Sequence, residues 1–142
     1  MWYFLRYLIS EAPISLLLCR KQFTMMILIA GPYRSGTNDD PALIQQNLDR
    51  LEAVAMPLFE KGHIPMIGEW VALPLMKLAG FQKIGDAVWD RMQYPVSHAL
   101  LRKCDAIFRI EGASKGADQD VAIAKDLGMP VYYNIADVPD AE

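Results

Sequence analysis

The chain has 142 residues, of which 53% are hydrophobic and 22% charged, and its formal net charge is −3. This length fits one domain with a buried core, and this composition excludes a disordered chain. Lys and Arg are not clustered, which argues against a nucleic-acid-binding surface. Cys19 and Cys104 are far apart, and the only histidines are His63 and His98. We therefore expect no disulfide framework, no metal site, no cofactor and a cytoplasmic location.

Residues 1–24 differ from the rest because they are apolar but interrupted by charges. No uncharged run in this stretch approaches the about 20 residues that span a bilayer, and no secretory cleavage site is evident. We expect no membrane partner and treat residues 1–24 as an N-terminal extension of a domain at 25–142. Met25 and Met26 directly precede the first strand. An alternative is therefore that the native protein starts there and that residues 1–24 reflect a start assigned too far upstream. Intact-mass measurement would reject that alternative if the native protein retained Trp2.

The sequence predicts that the first half of this domain consists of a strand, a helix and a second strand. Residues 26–30 (MILIA) predict a buried strand, and Gly31–Gly36 follows as a loop. Apolar residues then recur at helical spacing up to Gly62. Pro57 lies inside this pattern, so we expect the helix to kink or to end early there. Residues 63–67 predict a second short strand.

Residues 69–103 predict two or three short helices, with Gly80, Gly85 and Pro95 as interruptions. The aromatic residues of this segment are most simply packing residues. Alternatively, one of them stacks on a planar ligand: Trp70, Trp89 or Tyr94.

Residues 104–135 predict a βαβ unit. A buried strand begins at Asp105, small residues turn the chain, and an apolar stripe at helical spacing runs from Ala117 to Leu127. Gly128 ends this helix, and a last strand follows Pro130.

The order of these elements indicates an α/β fold with a parallel sheet and right-handed crossovers. If the strands are arranged 2-1-3-4, the topological switch point lies between the first and third strands. The loops at Gly31–Gly36 and Glu111–Gly116 would then face each other across one crevice. Ligands of such sheets bind at this position, near the first turn of the following helix.

Several residues near this crevice are candidates for ligand binding. Gly31 and Gly116 allow close approach of a ligand to the backbone, although either glycine alone is better explained by a turn of the chain. Arg34 and Lys115 offer cations for a phosphate or carboxylate, and Arg109 is a weaker candidate because it lies within a strand.

Asp120 is the candidate for catalysis. A carboxylate near the positive end of a helix is held ionised and can attack an anomeric carbon. The alternative is that Asp120 merely complements the helix dipole. Asp118 is two positions away and points elsewhere.

The motifs together resemble the nucleoside 2-deoxyribosyltransferase-like superfamily. They are similar as well to the deoxynucleoside monophosphate N-glycosidases, whose S-x-G-x-x-x-E element matches residues 114–120 in spacing. The resemblance covers roughly residues 26–135 through four motifs: Gly31-Pro32-Tyr33-Arg34, Cys104-Asp105-Ala106-Ile107, Ser114-x-Gly116-Ala117-x-x-Asp120-x-x-x-Ala124 and Leu127-Gly128-x-Pro130-Val131.

This resemblance implies a flavodoxin/Rossmann-like three-layer sandwich with a parallel sheet of four to five strands. It also implies a homo-oligomer, a dimer or higher, whose partner is a small-molecule nucleoside or nucleotide. In such enzymes a Glu attacks C1′, the base leaves with a proton, and water or a second base accepts the sugar.

The resemblance also assigns roles by position. Asp120 takes the place of the nucleophile, and Ser114 with Gly116 contacts phosphate or sugar. Asp105 matches an aspartate that commonly has a structural or positioning role. The other wall of the site is assigned to Gly31, Tyr33 and Arg34.

Two departures from the family pattern bear on activity. The nucleophile is Asp rather than Glu, which is shorter by one methylene, and misplacement of about 1 Å can cost about a hundredfold in rate. Where relatives carry an acidic residue in the helix before the Asp105 strand, this chain has Ser97 and His98, which leaves Asp90 or Asp86 as substitutes.

Two other functions remain open at this stage. One is a non-catalytic nucleotide-binding or sensor domain in which Asp120 holds a ribose hydroxyl. The other is a phosphosugar enzyme that uses Arg34 and Lys115, because a fold does not fix a function.

Overall fold

The computed structural model describes residues 24–141. The N-terminal extension lies outside this range except for Thr24, so the division into extension and domain stays a prediction. Among the described residues, no helix has the length and apolarity needed to cross a membrane. In chain order the elements are β1 Met26–Ala30, α1 Pro41–Glu60, β2 Ile64–Ile67, α2 Gly68–Leu78, α3 Ala87–Leu101, β3 Ala106–Arg109, α4 Lys115–Asp126, β4 Val131–Tyr132 and a 3₁₀ turn at Ile135–Asp137.

The four strands form one parallel sheet in the order β2-β1-β3-β4. β1 is central, with Ile27 opposite Pro65 of β2 on one side and Ala106 of β3 on the other. This arrangement confirms both the parallel α/β fold and the predicted strand order. Because the strands are parallel, the loops after β1 and β3 leave the sheet side by side at its carboxyl edge.

Helices cover both faces of the sheet, which confirms the three-layer sandwich. One face carries alternate strand residues such as Ile27 and Phe108, and α1 packs on it through Leu51 and Leu58. The opposite face carries Leu28 and Ile107 and packs against α4 and the end of α3. Each central strand therefore buries both faces, which explains its continuous apolar sequence.

The helices are longer than their prolines suggested. α1 continues through Pro57 to Glu60, so it does not end early. Its inward-facing Leu58 is fully buried, and that contact holds the last turn in place. Similarly, α3 runs through Pro95, so the segment between β2 and β3 contains two helices rather than three. α2 and α3 pack against each other through a separate cluster that includes Ala72, Met76 and Trp89.

Candidate functional site

The loops after β1 and β3 meet at the carboxyl edge of the sheet and enclose a small cavity. The two loops are in close contact, since a Cβ added to Gly31 would overlap the Ile110 side chain. A Cβ added to Gly112 would lie 2.8 Å from Cγ of Pro32. The cavity has a volume of about 80 Å³. Its walls come from both loops and from α2, α3 and α4: Gly31, Tyr33, Arg34, Ser35, Glu69, Trp89, Gln93, Tyr94, Ser97, Ser114, Gly116, Ala117 and Asp120.

Ser114 and Asp120 are positioned by the start of α4. Ser114 is the N-cap residue, and its Oγ accepts a hydrogen bond of 3.2 Å from the amide of Ala117. Asp120 lies on the inward face of the helix and is only 8% exposed. Asp118 instead faces outward, as its sequence offset predicts. The motif from Ser114 to Asp120 therefore brings a hydroxyl and a carboxyl to one cavity.

Two consecutive residues of α3 face the Asp120 carboxyl. Ser97 Oγ lies 3.4 Å from one carboxyl oxygen, and His98 Nε2 lies 3.5 Å from the other. The second separation is within ion-pair range, but burial lowers the pKa of His98 and raises that of Asp120. Both shifts favour the neutral forms, so this contact is not a permanently charged ion pair.

Glu69, in the first turn of α2, places a second carboxyl at the cavity. Its Oε1 accepts a hydrogen bond of 3.2 Å from Gln93 Nε2. Burial raises the pKa of Glu69, and the Gln93 bond only partly opposes this shift. Sequence reasoning did not select Glu69. The available signal was its place two residues beyond the end of β2, at the edge of the sheet where ligands bind.

The charge of Glu69 acts on the Asp120 carboxyl. Burial raises the pKa of Asp120 from 3.8 to about 7, and the negative charge of Glu69 adds to the shift. The bond from Ser97 and the charge of Arg109 oppose it. Because each raised pKa favours the protonated form, the site can hold one carboxylate beside one carboxylic acid.

Aromatic rings form one wall of the cavity. Tyr33 and Trp89 are stacked, with ring centroids 5.9 Å apart and planes 13° from parallel. Phe81 packs on Trp89 at 6.1 Å. Burial, with a smaller effect of Glu69, raises the pKa of Tyr33. Tyr94 lies beside Gly116, where an added Cβ would be 3.2 Å from the Tyr94 ring. Trp70 lies away from the cavity, and its indole donates to Glu52 on α1.

An open cleft of about 630 Å³ adjoins the small cavity. The two share Ser35, Tyr94, Ser114 and Gly116 in their walls. The cleft also carries two cations, Lys115 and Arg50, and Arg50 donates to the carbonyl of Glu111. A ligand with a small part in the cavity therefore has room outside it for a larger part.

The remaining predicted residues lie at the rim or elsewhere. Arg34 lines the cavity but is exposed and paired with Asp39 at 2.6 Å. Asp90 is exposed, and its charge adds to the larger effect of Asp39 in raising the pKa of Arg34. Asp86 caps α3 by accepting from the amide of Trp89. Asp105 is not brought to this site, because it lies at the opposite edge of the sheet and accepts a 2.8 Å bond from the amide of Met26.

Arg109 belongs to a different surface. Its guanidinium donates to Asp118 at 2.8 Å and to the carbonyls of Ile110 and Gly112. It borders a cleft of about 490 Å³ on the other side of α4. Because its charge is already paired and its donors are occupied by the chain itself, we assign no ligand to this cleft. In the described part of the chain, no three His, Cys, Asp or Glu residues are grouped as metal ligands would be.

Of the comparisons with known proteins, the structural one supports the fold described above. The sequence matches no protein-family model and no curated protein. The structure is similar to that of a 2-deoxyribosyltransferase from the psychrotolerant bacterium Bacillus psychrosaccharolyticus, with a TM-score of 0.54 and 18% identity. The match covers 75% of this chain and 69% of that one. At this level of identity the similarity establishes the flavodoxin-like fold and not the reaction.

Proposed function

We propose that the chain binds a nucleoside or nucleotide and cleaves its N-glycosidic bond, with Asp120 as the nucleophile. The observation that carries this proposal is the presence of two carboxyls, the buried Asp120 and the partly buried Glu69, at one cavity on the ligand-binding edge of the sheet. The motif resemblance and the similar fold of a 2-deoxyribosyltransferase support the same reaction class.

The two carboxyls take complementary roles in this reaction. The Asp120 carboxylate attacks C1′ of the sugar, so a C1′–O bond forms as the C1′–N bond breaks. Glu69, as the carboxylic acid, gives its proton to the departing base. Water then attacks C1′ and returns a proton to Glu69, which releases the sugar and frees Asp120. If a second base takes the place of water, the same steps give transfer instead of hydrolysis.

The sizes of the two spaces support this placement of the ligand. The cavity of about 80 Å³ takes only a small part of a ligand, here the sugar carbon and its neighbours. The open cleft of about 630 Å³ takes a larger part, and Lys115 and Arg50 suit a phosphate there. Tyr33, stacked on Trp89, suits contact with a planar base.

A non-catalytic nucleotide-binding domain is the second candidate. One observation favours it: a pKa of about 7 leaves much of Asp120 protonated at neutral pH, and a protonated carboxyl is no nucleophile. In this case Asp120 would hold a sugar hydroxyl, and the cavity would serve recognition alone.

Release of free base from a panel of nucleosides and their monophosphates distinguishes the two. We expect turnover by the native chain and a loss of at least about a hundredfold in Asp120→Asn, because the carboxylate is absent. Asp126→Asn is the matched control, since Asp126 is an exposed carboxylate on the same helix. Tight binding without turnover by the native chain would support the binding domain. Equal turnover in native chain and Asp120→Asn would overturn the role of Asp120.

The resemblance further predicts a homo-oligomer. Light scattering coupled to gel filtration measures the mass in solution directly. A monomer at the concentrations used for activity would contradict this prediction without affecting the proposed chemistry.

A further inference from the structure

His98 contacts the Asp120 carboxyl without being part of the cavity wall. Its Nε2 lies 3.5 Å from Asp120 Oδ1, and neither atom has a hydrogen-bond partner among the described residues. Both atoms are buried, and Asp120 lines the small cavity whereas His98 does not. His98 is therefore placed to act on a bound ligand through Asp120 rather than by touching that ligand.

One proton held between these two atoms accounts for both missing partners. A protonated carboxyl oxygen donates to a bare imidazole nitrogen, and an imidazole N–H donates equally well to a carboxylate oxygen. The separation of 3.5 Å needs to shorten by only a few tenths of an ångström to reach the ordinary hydrogen-bond range of about 2.7 to 3.2 Å. Because buried polar atoms are nearly always paired, the shared proton is the simplest partner for both atoms.

The surroundings of the pair do not fix this proton on either side. Burial and the charge of Arg102 lower the pKa of His98, which disfavours the imidazolium. Burial and the charge of Glu69 raise the pKa of Asp120 to about 7, which disfavours the carboxylate. An imidazolium and a carboxylate in contact nevertheless favour each other's charge. The charged or titratable groups that act on the pair or pack against it are Arg102 and Tyr94 on α3, Glu69 on α2 and Arg109 on β3.

We propose that His98 takes the proton of Asp120 and thereby generates the carboxylate that attacks C1′. The O–H bond of the Asp120 carboxyl breaks and an N–H bond forms at His98 Nε2, which leaves a carboxylate beside an imidazolium. The imidazolium keeps this proton while the bond to C1′ forms and is hydrolysed, and Glu69 alone exchanges protons with the base and with water. The inference rests on the proposed function for the attack itself, but the proton transfer between the two side chains can be measured without turnover.

Such a transfer gives Asp120 a nucleophilic form at neutral pH. A pair that holds one proton titrates as a unit, and part of the molecules carry the carboxylate and the imidazolium throughout the range in which that proton is bound. Without His98, Asp120 becomes a carboxylate only as the pH approaches its pKa of about 7. The native chain should therefore remain active at lower pH than a chain that lacks His98.

The kinetic test compares release of free base by the native chain and by His98→Phe between pH 5.5 and pH 9. Phe keeps a ring beside Tyr94, which packs on His98 at 6.1 Å, but it accepts no proton. We expect the native kcat to exceed that of the variant at least about fivefold at pH 5.5, where a carboxyl with a pKa of about 7 is only about 3% ionised. At pH 9 the two should agree within about twofold, with KM little changed throughout, because His98 does not line the cavity. A ratio that is the same at every pH overturns the inference.

His98→Gln separates proton transfer from mere orientation of the carboxyl. Gln keeps a hydrogen-bond donor but takes up no proton, so it should lose activity at low pH as Phe does. Recovery of the native pH profile by His98→Gln overturns the inference, because a donor alone would then suffice. Arg91→Gln, which removes an exposed cation from the same helix, is the matched control and should keep the native profile.

Nitrogen NMR titration of the His98 ring tests the transfer if no free base is released. The chain has only two histidines, so the His98 signals are identified by their loss in His98→Phe. In Asp120→Asn the midpoint for His98 should fall by at least about half a pH unit, because the carboxylate that stabilises the imidazolium is gone. The same midpoint in both chains overturns the inference. A lower midpoint without turnover supports the proton transfer, while the absence of turnover overturns the proposed cleavage.

Discussion

The negative charge of Glu69 raises the pKa of Asp120, although the two residues lie on different helices and are 51 positions apart (120 − 69) in the sequence. α2 follows β2 and α4 follows β3, and both strands end at the same edge of the sheet. The fold therefore brings the carboxyls together even though no local motif connects them. The raised pKa of Asp120 leads to two predictions about pH.

Asp120→Asn should stabilise the protein at alkaline pH. The pKa of Asp120 is about 7 in the folded chain against an ordinary 3.8, so the unfolded chain loses this proton at a lower pH than the folded one. Stability is then lost as pH rises from about 4 to about 7, and the loss amounts to roughly 2 to 4 kcal/mol for this residue. Urea unfolding at pH 4 and pH 8 should show a smaller decrease in the variant than in the native chain. The same decrease in both would contradict the prediction, and Asp126→Asn controls for the change in net charge.

Glu69→Gln should lower the pKa of Asp120. The variant removes the neighbouring charge but leaves the burial, which is the larger cause, so the pKa should fall by part of the shift and not return to 3.8. Carbon NMR titration of the Asp120 carboxyl measures this directly. Glu60→Gln, at the exposed end of α1, is the control. If the two variants gave the same Asp120 pKa, the coupling between the carboxyls would be ruled out.

Gly31→Ala should destabilise the fold. The new methyl group would overlap Ile110 and lie 3.1 Å from Leu51 Cδ2, and such overpacking costs about 1 to 3 kcal/mol. Thermal unfolding should show a lower melting temperature. Adding Ile110→Ala to the same chain removes the obstructing side chain, so the double variant should lose less than the sum of the two single variants. Strict additivity would show that the contact with Ile110 is not the cause.

His63→Phe should also destabilise the fold. The buried His63 ring joins the two ends of the described chain, because Nδ1 accepts from the Met25 amide at 3.1 Å and Nε2 contacts the Pro139 carbonyl at 2.6 Å. Phe offers neither bond, which should cost roughly 2 to 4 kcal/mol. His63→Asn can still accept near the Nδ1 position and should recover part of the loss in a urea titration. Equal stability of the native chain and the Phe variant would be inconsistent with this role.

Much of the frame that holds the site was predictable from the sequence. β1 and β3 are buried on both faces, so they appear as continuous apolar runs. The apolar stripe of Ala117, Val121 and Ala124 predicted the helix α4 and its buried face. Asp120 lies on that face. These signals are local, and the parallel arrangement then followed from the order of the elements.

The second carboxyl was not predicted, because its position depends on packing that no local pattern encodes. Pro74 lies inside α2 and Pro95 lies inside α3. The apolar spacing in the sequence of this segment does not define which face of α2 is buried. The packing of α2 against α3 turns Glu69 toward Gln93. From the sequence alone, Asp86 and Asp90 were equally reasonable candidates for the second acid. In the structure, Asp86 caps α3 and Asp90 is exposed.

The position of Glu69 on α2 affects how chains of this fold should be compared. A pattern scan that requires an acidic residue just upstream of the third strand would reject this chain, because it finds Ser97 and His98 there. In the structure, Glu69 lies on a different helix and lines the same cavity as Ser97 and Asp120. Proteins of this architecture should therefore be compared by which side chains converge in three dimensions, and the first turn of the helix after the second strand should be inspected before any of them is judged unable to react.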